Sequence, residues 1–284
     1  MQILTKIDEV RRELDKACQN GKKIGLVPTM GYLHEGHLSL VDTARQNADV
    51  VVMSIFVNPT QFGPNEDLAR YPRDFARDEK LARERGVDYI FYPEVAAMYP
   101  EPYFTYIVTE QMAKVLCGVS RPIHFRGVTT IVAKLFNIIQ PDVAVFGQKD
   151  AQQAIIIRQM VRDLNFPINI IVAPIVREPD GLAMSSRNVY LAPEERQQAP
   201  VIHRALVEAV RAVAQGQTNA GEIAEQIRRT ILTTPLARID YVEIVDDRTL
   251  LPVKIVAPGT FVAVAVYYGK TRLIDNISLK EREF

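Results

Sequence analysis

Nine consecutive residues, Asp49 to Val57 (DVVVMSIFV), constrain the fold more than any other stretch of this chain. Only Asp49 and Ser54 in the run are polar. A strand with one wet face alternates apolar and polar side chains, and this one does not, so both of its faces are covered. The β-branched residues Val50, Val51, Val52, Ile55 and Val57 suit a pleated backbone. Strands buried on both faces belong to parallel sheets, whose crossover helices lie above and below them.

The surrounding pattern supplies those helices and further strands. Short apolar strands are predicted at Lys23 to Val27, Asp88 to Tyr92, Val143 to Phe146 and Ile168 to Val176, with a brief one at Ile3–Leu4. Ile7, Val10, Leu14 and Ala17 recur on one helical face, and Thr5 with Asp8 reads as its capping box. Leu38, Leu40, Val41 and Ala44 mark a second helix, and others are predicted near 74–85, 128–139 and 151–164. A strand at Phe104 to Val108 and a helix at Glu110 to Leu116 complete this half. Alternation of this kind predicts an α/β, Rossmann-like doubly wound parallel sheet over residues 1–176.

Beyond Val176 the character changes. A turn at Arg177 to Gly181 precedes helices at Pro193 to Gln215 and Gly221 to Leu232. Strands follow at Ile239 to Val245, Phe261 to Tyr268 and Arg272 to Ile274. Helices followed by strands predict a smaller C-terminal α+β domain over residues 177–284.

Charge and composition narrow the function. Thirty-four basic residues balance thirty-four acidic ones, so no global charge selects nucleic acid or membrane as a partner. No apolar run approaches the about 20 residues of a membrane helix, and the amino terminus lacks the apolar core of a signal peptide. Cys18 and Cys117 make no disulfide framework, as expected of a cytoplasmic protein.

Chemistry concentrates in four loops, at residues 29–37, 58–65, 147–153 and 184–187. In the first, Met30-Gly31-Tyr32-Leu33-His34-Glu35-Gly36-His37 joins a strand to a helix. Glycines let backbone approach a ligand, and the following helix offers unpaired N–H groups to an anion. His34 and His37, three residues apart, share a face of the first helical turn. That spacing and the distance from either cysteine disfavour a metal site. Lys149 and Asp150 follow the strand at Val143 to Phe146, while Gln61 and Gln153 donate and accept toward a hydroxyl or carboxylate. Ser185, Ser186 and Arg187 either cap a helix or close over phosphate. The first three loops follow parallel strands and are expected along one sheet edge, where such sheets bind ligands.

Pro28 to His37 resembles the HxGH signature of the nucleotidyltransferase superfamily, and Met184 to Arg187 resembles a variant of its second phosphate-binding signature. Ala183 and Ser186 stand where the second signature usually has lysine, which disfavours a tRNA synthetase. With SIFVNPTQFGPNEDLARYPR, RPIHFRGV, GQKDAQQ and the closing RLIDN, essentially the whole chain resembles the pantothenate synthetase (pantoate–β-alanine ligase) family. Gln148 stands where many members have glutamate. The resemblance implies ATP-driven joining of pantoate and β-alanine through pantoyl adenylate, with AMP and pyrophosphate released. It implies ATP contacts at Met30, Gly31, Tyr32, Leu33, His34, Glu35, Gly36, His37, Gly147, Gln148, Lys149, Asp150, Val176, Met184, Ser185, Ser186 and Arg187. His34, His37 and Lys149 take the catalytic roles. Gln61, Gln153, Asn58, Tyr71 and Arg121 are implied for substrate. Magnesium arrives with the ATP phosphates rather than in a protein cage, and the implied assembly is a homodimer. Two rivals share these signatures: a cofactor adenylyltransferase, and a nucleotide-binding module without catalysis.

Overall fold

Every residue of the strand at Val50–Ile55 (β3) is buried, as the apolar run demands. The computed structural model describes residues 1–64 and 66–280. Around β3 lie β1 (Gln2–Leu4), β2 (Ile24–Thr29), β4 (Tyr89–Phe91), β5 (Val143–Gly147) and β6 (Asn169–Ala173), all parallel, in the order β1-β4-β3-β2-β5-β6. From β2 the chain steps outward through β3 to β4, then returns to β2's other side for β5 and β6. The carboxyl ends of β2 and β5 therefore flank the reversal of strand order, where open α/β sheets leave a crevice. This is the α/β sheet that the alternating pattern predicts.

The helices of this half of the chain are α1 (Ile7–Gln19), α2 (Glu35–Asn47), α3 (Phe75–Glu84), α4 (Val95–Met98), α5 (Cys117–Ser120), α6 (His124–Ile139) and α7 (Ala151–Asp163). Leu38, Val41 and Ala44 of α2 pack with Val27, Val51, Met53, Ile90 and Val145, so the helical spacing and the strand run meet in one apolar cluster.

Four expectations need correcting. The cap of α1 is Lys6, not Thr5; Glu9 accepts from the Lys6 N–H, one residue along from the Thr5–Asp8 pairing. No strand forms at Phe104 to Val108. There the Ile107 N–H donates to Thr130 Oγ1 at 3.0 Å and the Ile107 carbonyl accepts from Thr129 Oγ1 at 2.7 Å, so helix threonines take backbone groups a sheet would use. Glu110 to Leu116 contains only a 3-10 turn, Met112–Lys114, and Leu116 has φ +50°, outside helical space. Pro193 to Gln215 divides into α8 (Pro193–Gln198) and α9 (Val201–Ala214), because Pro200 has no N–H to continue the ladder.

The chain falls into two compact units. The first comprises Met1–Ala113, Arg121–Gly147 and Ile156–Pro174, and the second comprises Lys114–Ser120, Gln148–Ile155 and Ile175–Phe284. In the second, β7 (Ala237–Asp246), β8 (Thr260–Tyr268) and β9 (Thr271–Lys280) form an antiparallel sheet in that order. Ile202 and Leu206 of α9 and Ile223 and Ile227 of α10 (Ala220–Ile231) pack on Val262, Val264, Val266 and Leu273. The two interior segments attach by polar bonds. Gln152 accepts from the Cys117 N–H and donates to the Val115 carbonyl, and Ser120 donates to Asp240, which Arg272 also holds. Among the described residues, no helix is long and apolar enough to cross a membrane.

Candidate active site

In the first unit, the loop after β2 is bent where a side chain has no room. Gly31 has φ +82°, and a Cβ there would lie 2.9 Å from Asp78 Oδ2 and 3.0 Å from Ile55. Asp78 is the reason the loop holds this shape. Its two oxygens accept from the Tyr32 and Leu33 N–H groups, each at 2.7 Å, and it is buried. Burial pushes its carboxyl above the ordinary aspartate value, although the Leu33 and Tyr32 N–H groups oppose that. Arg77 donates to the Leu33 carbonyl at 2.8 Å and lies over the Tyr32 ring.

The held loop delivers His34 to the N-cap of α2. Its Nδ1 accepts from the Gly36 N–H at 3.1 Å, and His37 Nδ1 accepts from the His34 N–H at 3.4 Å. A backbone N–H can only donate, so each Nδ1 is an acceptor and each neutral ring carries its proton on Nε2. The ring centroids lie 4.0 Å apart. Two Nε2–H donors at the positive end of a helix are chemistry for an anion. Glu35 is turned to Arg85 at 3.0 Å.

Beyond β3, a 3-10 turn at Pro59–Gln61, capped by Asn58, carries Gln61, one of the two glutamines expected to hold substrate. Asn58 is buried, and its Oδ1 accepts from Thr60 Oγ1 and from the Tyr99 hydroxyl, both at 2.9 Å. Its Nδ2 donates to Gln61 Oε1 and to the Gly127 carbonyl, both at 3.1 Å. That bond sets the Gln61 amide with its NH₂ toward Met30 Sδ, 2.9 Å away. Sulfur is a weak acceptor, so Gln61 is oriented as a donor without a strong competitor at that contact.

Arg121 braces the same turn. It donates through Nε to Glu66 at 2.9 Å and through Nη2 to the Gln61 carbonyl at 3.2 Å. Arginine never accepts, so Arg121 Nη1 donates to His124 Nε2 at 3.2 Å and His124 Nδ1–H donates to the Gln61 carbonyl at 3.0 Å. Burial pushes the Glu66 carboxyl up, but the Arg121 guanidinium outweighs it and the net direction is down. Tyr71 is buried edge-on to Phe62. Asn65, at the end of this loop, lies outside the described residues.

In the second unit, Gln148–Asp150 form a 3-10 turn directly after β5, with Lys149 Nζ 3.5 Å from Asp150 Oδ2. Gln153 is half-buried on the first turn of α7. The Val176 carbonyl accepts from the Met184 N–H at 3.0 Å, closing a hairpin that leads into Ser185. Ser185 Oγ accepts from the Arg187 N–H at 3.2 Å and caps the 3-10 turn Ser186–Tyr190. Among the described residues, no group of three or more His, Cys, Asp or Glu side chains is placed to hold a metal ion.

Four supporting residues carry no assignment from sequence: Asp78, His124, Gly127 and Asn276. Gly127 meets the Gln61 turn so closely that a Cβ would lie 2.5 Å from Gln61 N. Asn276 donates to the Gln148 and Lys149 carbonyls. Each acts on a segment far away in sequence, and only the quoted RPIHFRGV and RLIDN strings drew attention to any of them.

Comparison with known proteins identifies the family. Residues 2–278 match the family model described as pantoate-beta-alanine ligase. A pantothenate synthetase of Moorella thermoacetica is 58% identical over 280 residues, 99% of each chain. The crystal structure of pantothenate synthetase from Thermus thermophilus superposes with a TM-score of 0.94 at 46% identity, covering 99% of this chain and 100% of that one. A Francisella tularensis pantoate-beta-alanine ligase, solved with beta-gamma ATP and beta-alanine, has a TM-score of 0.80 at 34% identity, over 98% of each chain. This chain belongs to the pantoate-beta-alanine ligase family.

Proposed function

We propose that the chain joins pantoate to β-alanine at the expense of ATP, forming pantothenate, AMP and pyrophosphate by way of pantoyl adenylate. The observation that carries this reading is the His34–His37 pair, held at the N-terminus of α2 with both Nδ1 atoms occupied by backbone N–H groups. Full-length similarity to pantothenate synthetases supports it, as does the relative solved with a nucleotide and β-alanine.

The chemistry follows from the leaving groups. A carboxylate cannot acylate an amine directly, because oxide would have to depart. Attack of a pantoate carboxylate oxygen on the α-phosphorus expels pyrophosphate and leaves an acyl phosphate anhydride. The β-alanine amine then attacks the acyl carbon, and AMP departs with that same oxygen. From the first unit, the Nε2–H groups of His34 and His37 and the α2 N-terminus would stabilise charge on the departing pyrophosphate. Gln61, oriented by Asn58, would hold pantoate with Tyr71 nearby; Arg121 would act by bracing the turn. From the second unit, Lys149 would supply a fixed positive charge, Met184 to Arg187 would approach the phosphates, and Gln153 would bind pantoate.

Magnesium would enter on the triphosphate. Mg²⁺ keeps several waters and binds largely through substrate phosphates rather than a dedicated protein cage. It would offset phosphate charge. We also propose a cytoplasmic homodimer. Phe104 and Val108 are 83% and 59% exposed in a stretch outside any strand, a surface suited to a second copy. Sedimentation equilibrium at twice the chain mass is the expected result, and a monomer at micromolar concentration would remove that part.

The reaction is tested by mass spectrometry of products from ATP, pantoate and β-alanine. Equal yields of pantothenate, AMP and pyrophosphate are expected. ADP with orthophosphate, or a stable adenylylated product, would overturn the proposal.

A further inference from the structure

The dipeptide Asp275–Asn276 in β9 is polar, buried and without a part in the chemistry above. Buried polar side chains in a strand are costly unless they are bonded, and both are bonded to segments outside the strand. Asn276 Nδ2 has two hydrogens. They reach the Gln148 carbonyl at 2.9 Å and the Lys149 carbonyl at 3.1 Å. Two carbonyl acceptors require the NH₂ end of the amide to face the turn. Asp275 grips Arg177 in a two-pronged pair, Nη1 to Oδ2 at 2.7 Å and Nη2 to Oδ1 at 3.0 Å. Such a pair fixes direction as well as distance.

Arg177 opens the hairpin that ends in Met184. Its Nη1 also donates to the Gly181 carbonyl at 3.1 Å, and the Glu178 N–H bonds the Leu182 carbonyl at 2.8 Å. Asp275 Oδ1 accepts in addition from the Asn276 N–H at 2.8 Å, which ties the two grips together. Two adjacent residues of one strand thus hold both the turn bearing Lys149 and the hairpin leading into Met184 to Arg187.

We infer that Asn276, seated beside Asp275, is a positioning residue for adenylation, fixing the Gln148–Asp150 turn so that Lys149 is presented to the triphosphate. This rests on the proposed role of Lys149. Asn276 touches no reacting atom; it acts through the backbone of the turn. The Asp275–Arg177 pair extends the same device to the second phosphate loop, so the two segments are held by one rigid strand.

The test is a double-mutant cycle read by pantoate-dependent exchange of labelled pyrophosphate into ATP. Asn276→Asp keeps size but replaces the donating NH₂ with an oxygen facing two carbonyls. It should reduce exchange by about 10- to 10²-fold, the scale of an ångström-sized misplacement. The loss should fall on kcat, with the KM for β-alanine in full turnover near that of the unaltered protein. In a Lys149→Ala background the same change should cost less than about two-fold, because the group it positions is gone. An equal loss in both backgrounds would show a merely structural role and overturn the inference, as would full exchange in Asn276→Asp alone. Should Asn276→Asp fail to fold, the cycle is run with Asn276→Ser, which keeps one hydroxyl donor, under the same criterion. Absence of exchange in the unaltered protein would instead count against the adenylation reading itself.

Discussion

Replacing Gly127 with alanine sets two physical effects against each other, and the structure decides the sign. Gly127 lies in the first turns of α6, where alanine is better by about 0.5–1 kcal/mol on helix propensity alone. Its missing Cβ, however, would stand 2.5 Å from Gln61 N and 2.5 Å from the Thr60 carbonyl carbon. Ordinary contacts are about 3.5–4.0 Å, so the Pro59–Gln61 turn and α6 must separate by about 1 Å. The obstacle is backbone, with no flexible tip to swing aside. Overpacking of this kind costs about 1–3 kcal/mol, so Gly127→Ala should be net destabilising by roughly 0.5–2 kcal/mol. The same shift stretches the Asn58–Gly127 and His124–Gln61 bonds that orient Gln61. A displacement of that size in a substrate-holding group is worth up to about 10² in rate. Urea unfolding should give a lower midpoint with an unchanged slope. Pyrophosphate exchange should show a raised pantoate KM with the ATP KM nearly unchanged. A variant more stable than its parent, or one with an unaltered pantoate KM, would refute the close approach as the determinant of Gln61's position.

Lys149→Ala should lower exchange by about 10²–10³ with unchanged far-ultraviolet circular dichroism; a loss under three-fold would remove its electrostatic role. Asp78→Asn keeps an acceptor for one of the Tyr32 and Leu33 N–H groups but turns a donor toward the other. Losing a charge-assisted bond costs about 1.5–3 kcal/mol, partly offset because the buried carboxylate is itself disfavoured, as its raised pKa records. A net loss of about 1–2 kcal/mol in urea and a weaker ATP KM are expected, and parental stability would exclude the anchoring role. Glu66, held by Arg121 below its ordinary value of 4.5, is more acidic folded than unfolded. It therefore contributes stability above pH 4.5 that disappears as pH falls through the lower folded value. Melting curves of Glu66→Gln and the parent should differ at neutral pH and converge in acid; a gap constant from pH 7 downward would assign the effect elsewhere.

What the sequence makes legible is local. β3 is readable because burial on both faces removes alternation, and α2 because its apolar residues recur at helical spacing. The closeness of His34 and His37 follows from that spacing too, but the capping role of His34 does not, since histidine is an uncommon N-cap. Phe104 to Val108 has a strand's composition and lacks a strand's neighbour; threonines of α6 satisfy Ile107 instead. The supporting contacts are invisible for a different reason. Asp78 grips backbone 45 and 46 residues away, and Asn276 grips it 127 and 128 residues away. Such bonds are products of tertiary packing, and no local period or motif encodes which aspartate or asparagine will make them.

The most direct test of the two-step chemistry follows one oxygen atom. Pantoate labelled with ¹⁸O at both carboxylate oxygens is turned over with ATP and β-alanine, and the products are weighed by mass spectrometry. Attack of the carboxylate on the α-phosphorus predicts one ¹⁸O in every AMP, one retained in the amide carbonyl of pantothenate, and none in pyrophosphate. Unlabelled AMP, or label carried into orthophosphate alongside ADP, would contradict formation of pantoyl adenylate.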